Sequence, residues 1–178
     1  WKVNRATEWT DLDENGQPTR EGDFRKAFNT PIVAEIDGRT QLIAPASMTV
    51  FAYDPKDGSE IWRVKDNGYS TACRPVLGAG MGFFSIGQGR GGYFGVRLKD
   101  LKGDVTDTHV AWTQEQGMPK RSSPVFVDGL LYLASDGGIG TCLEPETGEI
   151  VWKERLGGNV TASPIYADGH IYLFDEKG

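Results

Sequence analysis

From Phe28 onward, short stretches of alternating apolar and polar residues recur, each opened by a proline or closed by a turn-forming pair. PIVAEIDGRTQLIAP, SPVFVDGLLYLAS and SPIYADGHIYLF show the pattern most plainly. A period of two puts successive side chains on opposite faces of a strand, and no stretch between them holds a helical period long enough for a βαβ unit. Asp37-Gly38, Asp128-Gly129 and Asp168-Gly169 each predict a tight hairpin between a first and a second strand, with Gly78-Ala79-Gly80 in that place in one copy. Pro31, Pro75, Pro124 and Pro164 open the first strands, where a missing N–H is tolerated.

Four segments stack on this basis: Phe28–Lys65, Ser70–Glu115, Arg121–Leu156 and Val160–Gly178. In each full copy a second turn precedes a fourth strand with a tryptophan, at Trp62, Trp112 and Trp152, spaced by 50 and 40 residues. Four strands in a period of about 40–50 residues are the signature of β-propeller blades. The expected fold is therefore all-β, a propeller of four-stranded antiparallel blades with about three and a half in view. The expected boundaries are 28–69, 70–119 (with an insertion), 120–157 and the half-blade 158–178, all in one propeller domain. Residues 1–27 are expected to hold the end of a preceding blade plus an acidic insertion, since WKV at Trp1 echoes WRV at Trp62 and WKE at Trp152. On this reading the sequence is a fragment of a longer propeller.

These residues resemble the quinoprotein-type propellers, the family of pyrroloquinoline-quinone-like repeats that includes quinoprotein alcohol dehydrogenases and the BamB-like proteins. The family motif, Ala-x-Asp-x-x-x-Gly-x-x-x-Trp, is matched by Ala52, Asp54, Gly58 and Trp62. Cys142, Glu144, Gly148 and Trp152 keep the spacing with two replacements. The second copy departs further: Arg97 to Trp112 is 15 positions where Asp54 to Trp62 is 8, so its last turn carries an insertion. A small residue on the third strand lets the indole lie flat on the neighbouring sheet. A tryptophan so buried covers about 200 Å², several kcal/mol of packing at about 25 cal/mol per Å². Ala52, Asp54, Gly58, Trp62, Trp112, Gly148 and Trp152 are accordingly expected to be structural, docking blade on blade.

Charge and composition narrow the partners. Charged residues make up 25% and aromatics 11%, a composition that folds rather than one that stays disordered. The net charge of −6 argues against nucleic acid, and no apolar run is long enough to span a bilayer. Cys73 and Cys142 have neither metal nor redox spacing and are expected to be buried free thiols; His109 and His170 stand alone and are expected to be structural.

Candidate chemistry is sparse. GQGRGG at residues 87–92 formally fits a dinucleotide fingerprint, but YFGVRL after it alternates like a strand, where the fingerprint needs a helix. DLDENG places Asp11, Asp13 and Asn15 at the first, third and fifth positions of a calcium loop, yet the twelfth position is Gly22, so an acidic surface loop is the favoured reading. The residues before the four prolines, Thr30, Arg74, Ser123 and Ser163, are expected to ring the axial mouth. There Arg74 either adds positive charge beside Lys120 and Arg121 or pairs with a carboxylate. The resemblance implies, for its dehydrogenases, a catalytic Asp, a calcium ion and often adjacent cysteines. This sequence has no Cys-Cys pair and no acid before the prolines.

The leading expectation is therefore a non-enzymatic scaffold that binds a protein partner through its loops and axial mouth, with no catalytic residue and no cofactor. Two alternatives stand beside it: a quinone-dependent (PQQ-type) dehydrogenase with its catalytic residues in further blades, and a calcium-modulated binding module. By resemblance, the compartment is the periplasm or cell envelope.

Overall fold

The computed structural model describes residues 1–88 and 91–178. Among them the strands fall into four sheets, each antiparallel and sequential in its hairpins. The first blade is β1 (Ile32–Ile36), β2 (Arg39–Pro45), β3 (Thr49–Tyr53) and β4 (Glu60–Lys65). The second is β5 (Val76–Gly78), β6 (Met81–Ser85), β7 (Tyr93–Arg97) and β9 (Val110–Gln114). The third is β10 (Val125–Val127), β11 (Leu130–Ala134), β12 (Ile139–Leu143) and β13 (Ile150–Arg155). A two-stranded start of a fourth follows, β14 (Ile165–Ala167) and β15 (His170–Tyr172). Among the described residues the structure is all-β apart from a 3-10 turn at Gly22–Arg25 and one helical turn, α1 (Thr106–His109).

The turn chemistry explains the repeat. Asp37 and Gly38 have φ of 50° and 70°, Asp128 and Gly129 51° and 80°, Asp168 and Gly169 48° and 74°, and Ala79 and Gly80 51° and 70°. Both central residues are left-handed each time, the type I′ geometry whose twist suits a two-residue hairpin. Ala79 thus adopts, without a side-chain acceptor, the conformation that Asp holds elsewhere.

Successive residues on a strand serve opposite blade interfaces. Val50 and Ala52 on β3 and Trp62 and Val64 on β4 join Phe84, Ile86, Phe94 and Val96 of the second blade in one core. Phe83 and Tyr93, one residue out of phase, join Trp112, Leu131, Leu133 and Leu143 in the next. A third cluster of Ala44, Ala46, Phe51 and Tyr53 lies on the opposite face of the first blade. Sheets with both faces buried have almost continuous burial, as in β3, β6 and β12, and stability depends on neighbouring blades.

The insertion of the second blade has its own destination. Residues 98–109 cross back to the first blade, where β8 (Gly103–Asp104) pairs parallel with β4 at Trp62 and Arg63. Leu98, Leu101 and Val105 are buried there in the Trp62 core.

Candidate functional site

Each last-strand tryptophan faces a small residue on its own third strand: Trp62 pairs with Ala52, Trp112 with Gly95 and Trp152 with Cys142. A Cβ at Gly95 would lie 2.5 Å from the Trp112 ring, so this glycine takes the place of the motif alanine in the second blade. The other face of Trp112 lies on Gly148 of the third blade, where a Cβ would again come within 2.5 Å, and its indole N–H donates to the Pro145 carbonyl at 2.8 Å. Trp1 repeats this arrangement on the first blade. It packs on Gly58 and donates to the Pro55 carbonyl at 2.9 Å.

Trp62 is held differently. The insertion removes the short turn that would receive it, and its N–H donates instead to Gln41 Oε1 at 2.8 Å within its own blade. It is completely buried and Trp112 is 8% exposed, whereas Trp152 is half-buried beside the two-stranded fourth sheet. Asp54 and Glu144 act within their turns. Asp54 accepts from the Lys56 N–H at 2.9 Å and from Arg39 at 2.8 Å, and Arg39 leads in holding its carboxyl below the usual range. Glu144 accepts from the Glu146 N–H at 3.0 Å.

The loops that enter the first strands share one face with the loops between second and third strands. Met48 donates to Gly68, Gln88 to Tyr69 and Val160 to Asp136 across this face. Thr30, Arg74 and Ser163 are exposed here and Ser123 is half-buried. Three of the four are joined in series. The Arg74 N–H donates to Ser123 Oγ at 2.9 Å, and the Ser123 N–H donates to Ser163 Oγ at 3.0 Å. Each serine therefore receives the backbone of the preceding blade, a role the sequence pattern did not reveal. Thr30 is outside this series; its neighbours Phe28 and Asn29 bond Thr71 instead. The Arg74 side chain forms no ion pair among the described residues. Lys120 and Arg121 line a groove of about 370 Å³ on this face with Phe28 and Tyr69, and Arg121 lies 3.6 Å from Asp136.

Residues 9–26 form an ordered cap. Asp11 is buried, its carboxylate bound to the Arg25 guanidinium at 2.8 Å and the Arg20 N–H at 3.0 Å. Arg25 also stacks on Trp9, 4.0 Å from the ring centre. Asp13 closes its own turn by accepting from the Asn15 and Gln17 N–H groups at 2.9 and 2.7 Å, while Asn15 is exposed. This arrangement does not fit calcium: an arginine already neutralises Asp11, and Asp13 Oδ1 already accepts from two of the loop's own amides. Nor do the described residues hold three or more acidic, His or Cys side chains grouped for a metal. Ser123 and Ser163 each accept one backbone N–H between blades and keep their own hydroxyl protons.

Both cysteines are buried and free. Burial pushes the Cys73 thiol up, and it donates to the Ser122 carbonyl at 3.3 Å. His109, the last residue of α1, bonds Thr108 and the Lys99 carbonyl, and His170, the first residue of β15, bonds the Asp168 carbonyl. Gly89 and Arg90, the middle of the GQGRGG segment, lie outside the described residues; β7 follows the segment, where a dinucleotide fingerprint needs a helix.

The comparisons agree with this geometry. Residues 102–178 match the family model described as outer membrane protein assembly factor BamB. No curated protein matches the sequence. The fold is similar to BamB from Moraxella catarrhalis, with a TM-score of 0.60 at 16% identity over 82% of this chain and 44% of that one. It is similar to quinohemoprotein alcohol dehydrogenase ADHIIG from Pseudomonas putida HK5, at TM-score 0.54, 20% identity, 75% of this chain and 21% of that one. A europium-containing methanol dehydrogenase gives TM-score 0.56, 12% identity, 77% of this chain and 36% of that one. The chain thus spans less than half the length of each. Over residues 102–178 the chain is thus similar to the BamB family model, and its sheet order and tryptophan docking are those of a β-propeller.

Proposed function

We propose that the chain is part of a non-enzymatic propeller that binds a protein partner through its blade loops and axial mouth, with blades at 28–69, 70–119, 120–157 and 158–178. The observation that carries this reading is the series of Arg74, Ser123 and Ser163. Their backbone and hydroxyl groups tie blade to blade, which leaves the exposed Arg74 side chain, and Lys120 and Arg121 in the groove on the same face, as the groups the mouth offers to another molecule. Rigid blades holding variable loops on one face suit such recognition. The family description supports a cell-envelope partner, in the periplasm or at the outer membrane, and no helix among the described residues is long and apolar enough to cross a membrane.

Two of the similar folds are dehydrogenases, so the test has two arms. Full-length protein supplied with pyrroloquinoline quinone and calcium is assayed on alcohols and aldoses with an artificial electron acceptor, and no turnover is expected. In parallel, Arg74→Glu with Arg121→Glu is expected to weaken recovery of the native envelope complex about tenfold (~1.4 kcal/mol) without moving the melting temperature. Turnover that disappears on Arg74→Ala, with the fold intact, would make the dehydrogenase reading the right one.

A further inference from the structure

A second recess lies off the mouth, between the first and second blades. Its volume is about 340 Å³; Ile86, Phe94 and Val110 form an apolar wall, and Asp66, Thr113 and Glu115 stand at its edge. Asp66 follows β4 in the crossing to the second blade. Its N–H donates to the Met48 carbonyl at 2.9 Å, and one carboxylate oxygen accepts from the Gly68 N–H at 2.6 Å. Gly68 is fixed in turn, because a Cβ there would collide with the Ile86 carbonyl.

No cation is bound to Asp66 among the described residues. Lys65, its chain neighbour on the same wall, is held by Glu8 at 2.8 Å and Asp104 at 3.0 Å. From the second blade Thr106 and Thr113 contribute hydroxyls, and Glu115 is among the lining residues. Burial pushes the Asp66 carboxyl up to about 7, against the pull of the Gly68 N–H. A carboxylate with one backbone donor in a partly apolar recess lacks a counter-charge. Long basic side chains supply one while laying their methylenes on apolar walls.

We propose that this recess receives an arginine or lysine side chain of a partner protein, with its head group on Asp66 and its stem against Ile86, Phe94 and Val110. The net charge of −6 favours approach of a basic segment. The inference does not rest on the axial-mouth reading, since it uses none of the mouth residues. It also carries a proton signature: a bound cation favours ionised Asp66, so binding near neutral pH must release the proton that the free carboxyl holds part of the time.

Calorimetric titration of the full chain at pH 7 tests this, in two buffers of different ionisation enthalpy. The probes are N-acetyl-arginine amide and its neutral isostere, N-acetyl-citrulline amide. The arginine probe is expected to bind at least tenfold more tightly and to release a fraction of a proton. Asp66→Asn, which keeps an oxygen for Gly68, is expected to abolish both the preference and the release; Glu146→Gln, which removes an exposed carboxylate of the third blade, is expected to change neither. Equal binding of the two probes, binding by neither, or an Asp66→Asn variant that still prefers arginine would overturn the proposal. A free polyamine that binds more tightly than an arginine peptide would overturn it too, by making the ligand a small cation rather than a protein.

Discussion

Trp112 lies between two glycines, Gly95 beneath it and Gly148 above, and this packing can be tested one atom at a time. Trp112→Ala should cost about 3–5 kcal/mol, the range for removing a large core aromatic, read from chemical denaturation. Gly148→Ala and Gly129→Ala both force alanine into a left-handed backbone, at φ of 70° and 80°. Only Gly148 also sits against an indole, while Gly129 faces open space, so Gly148→Ala should lower the melting temperature further. Equal losses would mean that the tryptophan tolerates the added methyl. Asp66 gives a pH signature at the same scale. Its folded-state pKa of about 7 lies above the ordinary 3.8, so the folded protein keeps the proton longer than the unfolded chain does. Its contribution to stability therefore falls as pH rises from 3.8 to about 7 and is flat above. Asp66→Asn should remove that decline, which melting curves of both proteins at pH 5 and pH 8 will show. The tryptophans and motif glycines were legible because they recur at fixed spacing. Gly95 was not, because the insertion after Arg97 breaks the spacing that would have identified it. Asp66 has no counterpart in the repeat, and its environment comes from a neighbouring blade.

At the scale of elements, the hairpins were readable from Asp-Gly pairs, whose left-handed backbone is a local property. The destination of the insertion was not. Gly103 and Asp104 have poor strand propensity, and their pairing with Trp62 and Arg63 comes from a contact between blades. Replacing residues 99–108 with a short turn should remove Leu101 and Val105 from above Trp62. The emission of that tryptophan should then shift to longer wavelength, in a background where the other tryptophans are replaced by phenylalanine. The cap over residues 9–26 shows the same limit. Its acids match the opening of a calcium loop, but the decisive partner, Arg25, lies beyond the turn and is positioned by stacking on Trp9. Calcium at millimolar concentration should leave the melting temperature where magnesium leaves it. A specific rise that vanishes on Asp13→Ala would reverse that assignment.

For the whole molecule, stability is a property of stacked sheets, and the two outer sheets differ from the inner ones. Val151, Leu156, Ile165, Tyr166 and Phe174 are exposed around the third and fourth blades, an apolar surface that a neighbour would cover. The 178-residue chain expressed by itself should self-associate, and Val151→Lys with Tyr166→Lys should return it toward the monomer in sedimentation velocity. A monomer without those substitutions would mean that this surface is tolerated in water. The overall architecture was legible because repetition multiplies a weak strand signal over several copies. The series of bonds from Arg74 to Ser123 to Ser163 has a temporal consequence. Amides 74 and 123 lie in loops near solvent, yet neither can exchange its hydrogen until one blade swings away from the next. Their exchange rates would act as clocks for the opening of individual seams, so a partner that clamps the ring should slow both, and one that wedges a single seam should quicken one and leave the other unchanged.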